Sequence, residues 1–160
     1  LSLGVCNGCQ LMMELGLLYP ELGEAHPKMH HNDSGKFESY FLGVDIPSNN
    51  SIMLRQLAGT KLGIWVAHGE GKFVLPEDKM SSINSGSTYS YKSYPGNPNG
   101  SDQSVAALYS KDGRHLAMMP HLERAIFPWN WAHYSKSNNS HQVSPWIIPF
   151  VEAFNWIKDN

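Results

Sequence analysis

A cysteine flanked by two glycines lies almost at the start of the sequence. The segment Gly4-Val5-Cys6-Asn7-Gly8 follows a short apolar stretch and precedes apolar residues at helical spacing. This pattern predicts a sharp strand-to-helix turn that holds a nucleophile, because small neighbours give the backbone room. The positive end of the helix dipole would lower the pKa of the Cys6 thiol. The backbone N–H of Asn7 could then face a developing oxyanion.

A second candidate group comes near the end of the chain, where His121 and Glu123 follow a predicted strand. In a loop at that position an imidazole can reach a thiol while the carboxylate fixes its tautomer. Such a triplet alone is more often a surface histidine beside a solvated Glu–Arg pair. Together with the Cys6 turn, it predicts a triad of Cys6, His121 and Glu123.

Three other interpretations of the two cysteines remain open on spacing alone. Cys6 and Cys9 could be small buried core residues, or a C-x-x-C redox pair at the start of a helix. With His26 and His30 they also have a spacing close to that of a zinc finger. Pro27 disfavours a helix that would present both histidines together, so we expect no bound zinc.

A buried strand followed by a glycine-rich loop is predicted at 62–67 and 68–71. Ligands of open α/β sheets bind at the carboxyl ends of strands, so His68 and Glu70 could contact a substrate. An exposed hairpin turn explains the same pattern equally well. The turn at 97–100 implies only rigidity. The remaining histidines are expected at the surface: His26, His30, His31, His115, His133 and His141.

The hydrophobic pattern predicts the elements that must position these groups. A strand over 1–5 leads into a helix from Asn7 to about Tyr19, which Pro20 closes. The order of elements indicates an α/β fold. Further elements are predicted in chain order: a strand at 37–46, a short helix at 51–59, a strand at 62–67, a hairpin of 105–109 and 115–119 about a turn at 111–113, and a last helix at 145–158 with Ser144 as N-cap.

The composition is that of one ordinary globular domain: 160 residues, 41% hydrophobic and 16% charged. A net charge of −2 gives no reason to expect nucleic acid or an anionic membrane as a partner. The sequence has no apolar run near the ~20 residues that span a bilayer. Two cysteines do not make a disulfide framework, so we expect a cytoplasmic protein.

With these residues assembled, the chain resembles the glutaminase domain of the phosphoribosylformylglycinamidine synthases, which are class I glutamine amidotransferases of purine biosynthesis. The matching stretches span nearly the whole chain in the order of the family, and the first is highly specific. They are Gly4–Met12, Ala67–Phe73, Asn97–Ser101, Met118–Arg124, and the tail Ser144–Trp146 with Phe150. The tail resembles the large single-chain form of the enzyme, in which this domain follows the synthetase domains.

The resemblance implies a role for each residue of the triad. The Cys6 thiolate attacks the side-chain carbonyl of glutamine, ammonia leaves after protonation by His121, and water hydrolyses the thioester. Glu123 orients His121. Leu122 departs from the family, which usually has proline there. In an H-x-E arrangement, however, we expect the side chain between the two to point away from the reacting groups.

The resemblance also implies the residues that hold the substrate. Gln10 matches a family glutamine that binds the amino-acid end of the substrate. The backbone around His68, Gly69 and Glu70 matches the loop beneath the same end. The role expected for Asn7 is unchanged, with its backbone N–H facing the oxyanion.

The implied fold is an α/β class I glutamine amidotransferase-like sandwich around a mostly parallel sheet. Because the sequence starts abruptly at Leu1, we interpret residues 1–160 as a partial domain that runs from the nucleophile turn and lacks its N-terminal strands. The absent segment is expected to carry a second oxyanion N–H, so this chain alone should hydrolyse glutamine poorly.

The same resemblance implies no cofactor in this chain. ATP and magnesium are expected only in the synthetase domains of the parent polypeptide. Those domains would use the ammonia to convert formylglycinamide ribonucleotide to formylglycinamidine ribonucleotide. Two other functions stay open: another cysteine hydrolase on the same turn, such as a γ-glutamyl hydrolase, and a non-catalytic docking domain.

Overall fold

The computed structural model describes residues 1–135, 140 and 142–160; His141, which we expected at the surface, lies outside them. Short 3-10 segments connect most of the regular elements. The strands are β1 Ser2–Val5, β2 Lys28–His30, β3 Glu38–Asp45, β4 Lys61–His68, β5 Lys72–Val74, β6 Asn84–Tyr89, β7 Val105–Tyr109 and β8 His115–Met118, and the α-helices are α1 Asn7–Glu14 and α2 Ile148–Asp159. No helix in these ranges is long and apolar enough to cross a membrane.

The main sheet has the strand order β1-β8-β7-β6-β3-β4, and β2 pairs with β5 in a small second sheet. Among the described strands only β1 and β8 pair in parallel, and the other pairs are antiparallel. This differs from the mostly parallel sheet that we expected. Parallel neighbours need a crossover connection, whereas β7 and β8 form the predicted hairpin and β3 returns to β4 without an α-helix.

Apolar side chains cover both faces of the main sheet. On one face Met12 of α1 packs with Leu108 and Ala117. On the other face Leu116 packs in a separate cluster with Trp146, which precedes α2. Successive strand residues point to opposite faces, so β8 contributes to both clusters. The predicted α/β sandwich is therefore the observed layer arrangement.

Helix α1 is shorter than its apolar pattern predicted. It ends at Glu14, because Gly16 takes a φ of +62°, a left-handed conformation that typically terminates a helix. Pro20 does not close this helix but begins the 3-10 segment Pro20–Ala25. The last helix was predicted to begin at Pro145, but α2 begins at Ile148 and follows the 3-10 turn Pro145–Ile147. Ser144 caps this turn as predicted, since its Oγ atom accepts a hydrogen bond from the backbone N–H of Trp146 at 3.2 Å.

Gly4 lies where β1 passes close to α1. A Cβ atom at this position would be 2.5 Å from the Sδ atom of Met12 and 2.7 Å from the backbone oxygen of Gly8. The methionine side chain can move, but the helix backbone cannot move alone. We therefore expect Gly4→Ala to lower the free energy of unfolding by about 1–3 kcal/mol, measured by urea denaturation.

Gly8→Ala is the matched control for this variant. Beyond its chain neighbours and the backbone of its own helix, no described atom lies within 4 Å of a Cβ atom built at Gly8. Alanine stabilises a helix by roughly 0.5–1 kcal/mol relative to glycine. We expect unchanged or higher stability. We expected both glycines near Cys6 to be required for steric reasons. The structure gives such a reason for Gly4 and none for Gly8. Equal losses from the two variants would contradict the steric explanation.

Candidate active site

Cys6 occupies the turn between β1 and α1 with φ +51° and ψ −106°. A positive φ is rare for a residue other than glycine and costs on the order of 1–3 kcal/mol. Two backbone hydrogen bonds hold the turn. The Cys6 N–H donates to the carbonyl of Met118 at 2.9 Å, and the Cys6 carbonyl accepts from Gln10 at 3.0 Å. The sharp strand-to-helix turn predicted around Cys6 is confirmed.

His121 follows the end of β8 and is anchored to the neighbouring part of the sheet. Its backbone N–H donates to the carbonyl of Trp65 in β4 at 2.8 Å. The Nδ1 atom lies 2.6 Å from Oε1 of Glu123. The Nε2 atom is buried and has no hydrogen-bond partner among the described residues. The carboxylate thus orients the ring and leaves Nε2 for another group.

The other group is the thiol of Cys6. Interaction with Cys6, followed by the hydrogen bond with Glu123, raises the pKa of His121 to about 9. Interaction with His121 lowers the pKa of the Cys6 thiol, although partial burial acts in the opposite direction. Burial alone would raise the pKa of Glu123, but the hydrogen bond with His121 and nearby positive charge lower it.

These shifts favour a thiolate beside an imidazolium over the neutral thiol and imidazole. That pair suits nucleophilic attack followed by protonation of a leaving amine. The Sγ atom of Cys6 donates to the carbonyl oxygen of Ala67 at 3.6 Å, and Nε2 of His121 has no hydrogen-bond partner in the described part of the chain. Catalytic hydrogen bonds often tighten only when substrate binds. The structure brings Cys6, His121 and Glu123 together, and their catalytic roles stay a prediction.

Cys9 is a core residue. Its side chain is 0% exposed, and burial raises the pKa of its thiol. Both cysteines are free. Spacing alone left open a zinc set of Cys6, Cys9, His26 and His30, but among the described residues no three of His, Cys, Asp or Glu are arranged to hold a metal. Both ring nitrogens of His26 are instead close to neighbours in sequence.

The predicted substrate residues Asn7, Gln10 and Glu70 line one open cavity of about 610 Å³ next to the Cys6 turn. The Nε2 atom of Gln10 donates to the backbone carbonyl of Glu70 at 2.6 Å. Charged side chains, among them Lys72, complete this cavity. Gln10 and the loop after β4 therefore meet beside the Cys6 turn, and their contact with substrate stays a prediction.

His68 differs from the other predicted substrate residues because its side chain is only 2% exposed. Its ring lies under Gly71, where an added Cβ atom would be 2.6 Å from Nδ1 of His68. Burial lowers the pKa of His68 to about 4, so the imidazole is neutral. Any contact of His68 or Gly69 with substrate must come from the backbone, and it stays a prediction.

Sequence reasoning missed the side chains that hold this loop from below, chiefly Asn32 and Asn99. Both lie in polar turns, Asn-Asp-Ser-Gly and Asn-Pro-Asn-Gly. Such turns indicate a loop but do not indicate what the loop touches.

Comparison with known proteins identifies the family. The model of the CobB/CobQ-like glutamine amidotransferase domain matches residues 1–157. The chain belongs to this family of glutamine amidotransferases. The match covers both the Cys6 turn and the His121–Glu123 pair, so the prediction of a glutamine amidotransferase domain is confirmed.

Individual relatives of this amidotransferase domain support the finer resemblance. Phosphoribosylformylglycinamidine synthase of Drosophila melanogaster is 43% identical over 99% of the chain, and the chain covers 13% of that protein. The synthase of Homo sapiens is 39% identical over 97% of the chain, again with 13% of the relative covered. The chain thus spans about an eighth of these relatives.

Among solved structures, PurLQS from Thermotoga maritima has a similar fold. The TM-score is 0.72 at 25% sequence identity, and the match covers 97% of this chain and 61% of that chain. The class I glutamine amidotransferase-like α/β fold is confirmed.

Proposed function

We propose that residues 1–160 belong to a domain that hydrolyses glutamine and that the ammonia serves a phosphoribosylformylglycinamidine synthase. The observation that carries this proposal is the geometry around Cys6. A cysteine at the N-terminal end of α1 interacts with His121, whose Nδ1 atom lies 2.6 Å from Glu123, in a chain of the amidotransferase family.

The proposed reaction begins with attack of the Cys6 thiolate on the side-chain carbonyl carbon of glutamine. The backbone N–H of Asn7 stabilises the oxyanion of the tetrahedral intermediate. When the intermediate collapses, the C–N bond breaks and His121 gives its proton to the departing ammonia. A γ-glutamyl thioester remains. His121 then removes a proton from water, which attacks the thioester and releases glutamate and the Cys6 thiolate.

The amino-acid end of glutamine would occupy the cavity beside this turn. Gln10 and Glu70 of the 68–71 loop line this cavity and are joined by a hydrogen bond, so they suit the α-amino and carboxylate groups. Such contacts hold the carbonyl carbon close to the thiolate, and correct positioning supplies much of the acceleration in reactions of this kind.

The finer identity is also a proposal. The curated relatives that are named phosphoribosylformylglycinamidine synthase support transfer of the ammonia to a synthetase part of one polypeptide. There it would replace the amide oxygen of formylglycinamide ribonucleotide, with ATP and magnesium acting in that part and no cofactor in this chain. Two free cysteines fit a cytoplasmic location.

Competition labelling tests the proposed substrate. A diazoketone analogue of glutamine should modify Cys6, and L-glutamine should slow this reaction while L-asparagine and D-glutamine do not. Peptide mapping by mass spectrometry identifies the site, and iodoacetamide serves as a reagent without an amino-acid end. Equal protection by all three amino acids would contradict a glutamine site. Protection by γ-glutamyl peptides but not by glutamine would instead favour a γ-glutamyl hydrolase.

A further inference from the structure

We propose that Asn32 and Asn99 are positioning residues that hold the backbone of the 68–71 loop in the position required for glutamine binding. The proposal rests on the proposed function and adds two side chains that do not touch the triad. Both asparagines are buried, at 3% and 0% exposed, although they lie in segments without regular secondary structure. Their hydrogen bonds converge on one short stretch of backbone.

Asn32 holds the loop through both its side chain and its backbone. Its Oδ1 atom accepts the N–H of Gly71 at 3.0 Å, and its Nδ2 atom donates to the carbonyl of His68 at 2.7 Å. The backbone N–H of Asn32 donates to the carbonyl of Gly69 at 2.9 Å. One residue therefore pairs with three of the four members of the loop.

Asn99 holds the same loop at its other end. Its Nδ2 atom donates to the carbonyl of Gly71, while its Oδ1 atom accepts from the backbone of Ser101 at 3.0 Å. The hydroxyl of Ser101 accepts the N–H of Phe73 at 3.0 Å. The N–H and the carbonyl of Gly71 are thus paired with two different asparagines, so this residue has little freedom to shift.

The held loop is in direct contact with the candidate site. The carbonyl of Glu70 accepts a hydrogen bond from Gln10 at 2.6 Å, and Ala67, just before the loop, places its carbonyl 3.6 Å from the Sγ atom of Cys6. A shift of the loop would therefore displace Gln10 relative to the thiol. Misplacement of a reacting group by ~1 Å can cost about 10²-fold in rate.

The expected defect is specific to the amino-acid end of the substrate. Loss of either asparagine leaves buried loop carbonyls or N–H groups unpaired, which favours displacement of the loop. The charge state of Cys6 depends on His121, and the side-chain hydrogen bonds of the two asparagines go to groups other than His121. Capture of the glutamine analogue should fall, whereas the reaction with a small alkylating agent should not.

The experiment compares two labelling rates for each variant of the chain. For Asn32→Ala and Asn99→Ala we expect the second-order rate of the diazoketone analogue to fall by roughly 10–10²-fold. The rate with iodoacetamide should stay close to that of the unmodified chain. Saturation with the analogue should show a raised half-saturation concentration, since binding is weakened more than the thiol chemistry.

Tyr19→Phe is the control for loss of a buried hydrogen bond. The hydroxyl of Tyr19 is also buried, and it bonds to backbone groups of Asn84 and Tyr109, which do not line the cavity next to the Cys6 turn. We expect this variant to lose stability without a change in the ratio of the two labelling rates. A merely structural role for the asparagines would give the same unchanged ratio.

Asn99→Asp decides the question if an alanine variant does not fold. It keeps the size of the side chain and the acceptor for Ser101, but it replaces the donor to Gly71 by an oxygen. A selective loss of analogue capture in this folded variant supports the proposal. The proposal is overturned if Asn99→Asp and the unmodified chain have the same ratio of analogue rate to iodoacetamide rate while L-glutamine still protects Cys6. Absence of protection by glutamine in the unmodified chain would instead refute the proposed function.

Discussion

Replacement of Cys6 by alanine should abolish covalent capture of the glutamine analogue and leave no measurable glutamine hydrolysis; removal of a triad nucleophile costs on the order of 10⁶ in turnover. The reason is that no other described thiol can substitute. Cys9 is fully buried, and burial raises the pKa of its thiol. A protonated thiol inside the core cannot act as the nucleophile.

Cys9→Ala is the matched control, because it removes the other thiol one helical turn further on. We expect it to lower the free energy of unfolding by roughly 1 kcal/mol through a small cavity, with the rate of capture unchanged. Intact-mass spectrometry counts the adducts, and peptide mapping locates them. An adduct on Cys9 in the unmodified chain, or full capture by the Cys6→Ala chain, would refute the assignment.

Replacement of His121 by glutamine should lower glutamine hydrolysis by about 10²–10⁴-fold, the usual contribution of a general acid and base. It should also change the pH dependence of alkylation at Cys6. His121 lowers the pKa of the Cys6 thiol in the unmodified chain, so thiolate is present below the ordinary thiol range. Without the imidazolium the midpoint of alkylation should move to higher pH, and the rate near neutral pH should fall.

The pH dependence of glutamine hydrolysis at high pH is a second test of His121. His121 must be protonated to release ammonia, and its pKa is raised to about 9. Glutamine hydrolysis should therefore decline as the pH rises through about 9, because the acid loses its proton. The exposed His133 offers a matched control, His133→Gln, which should leave both profiles unchanged. An unshifted alkylation midpoint in His121→Gln would contradict the pairing of thiol and imidazole.

Several features of this chain follow from the sequence alone because they depend on neighbours along the backbone. The turn at Cys6, the hairpin of β7 and β8 and the N-cap at Ser144 all involve residues within a few positions of one another. Glycines, turn residues and alternating apolar residues encode such local conformations directly. The pair of His121 and Glu123 is local in the same sense.

Other features were decided only by tertiary structure. The parallel register of β1 and β8 places Val5 opposite Met118, and this pairing brings the Cys6 turn to His121. Spacing in the sequence suggested that these two residues work together, but it could not specify the distance between them. Apart from the β7–β8 hairpin, the antiparallel direction of the other strand pairs was not predicted, since a hydrophobic pattern shows which face is buried and not which way a neighbour runs.

The support of the 68–71 loop is the clearest feature that only the tertiary structure determines. Asn32 and the carbonyl of His68 are 36 positions apart, and Asn99 and the carbonyl of Gly71 are 28 positions apart. An asparagine in a turn has the same sequence signal whether its amide faces water or a buried backbone group. Only the folded chain removes water from these amides, and once water is gone each loop N–H and carbonyl needs a partner within the protein.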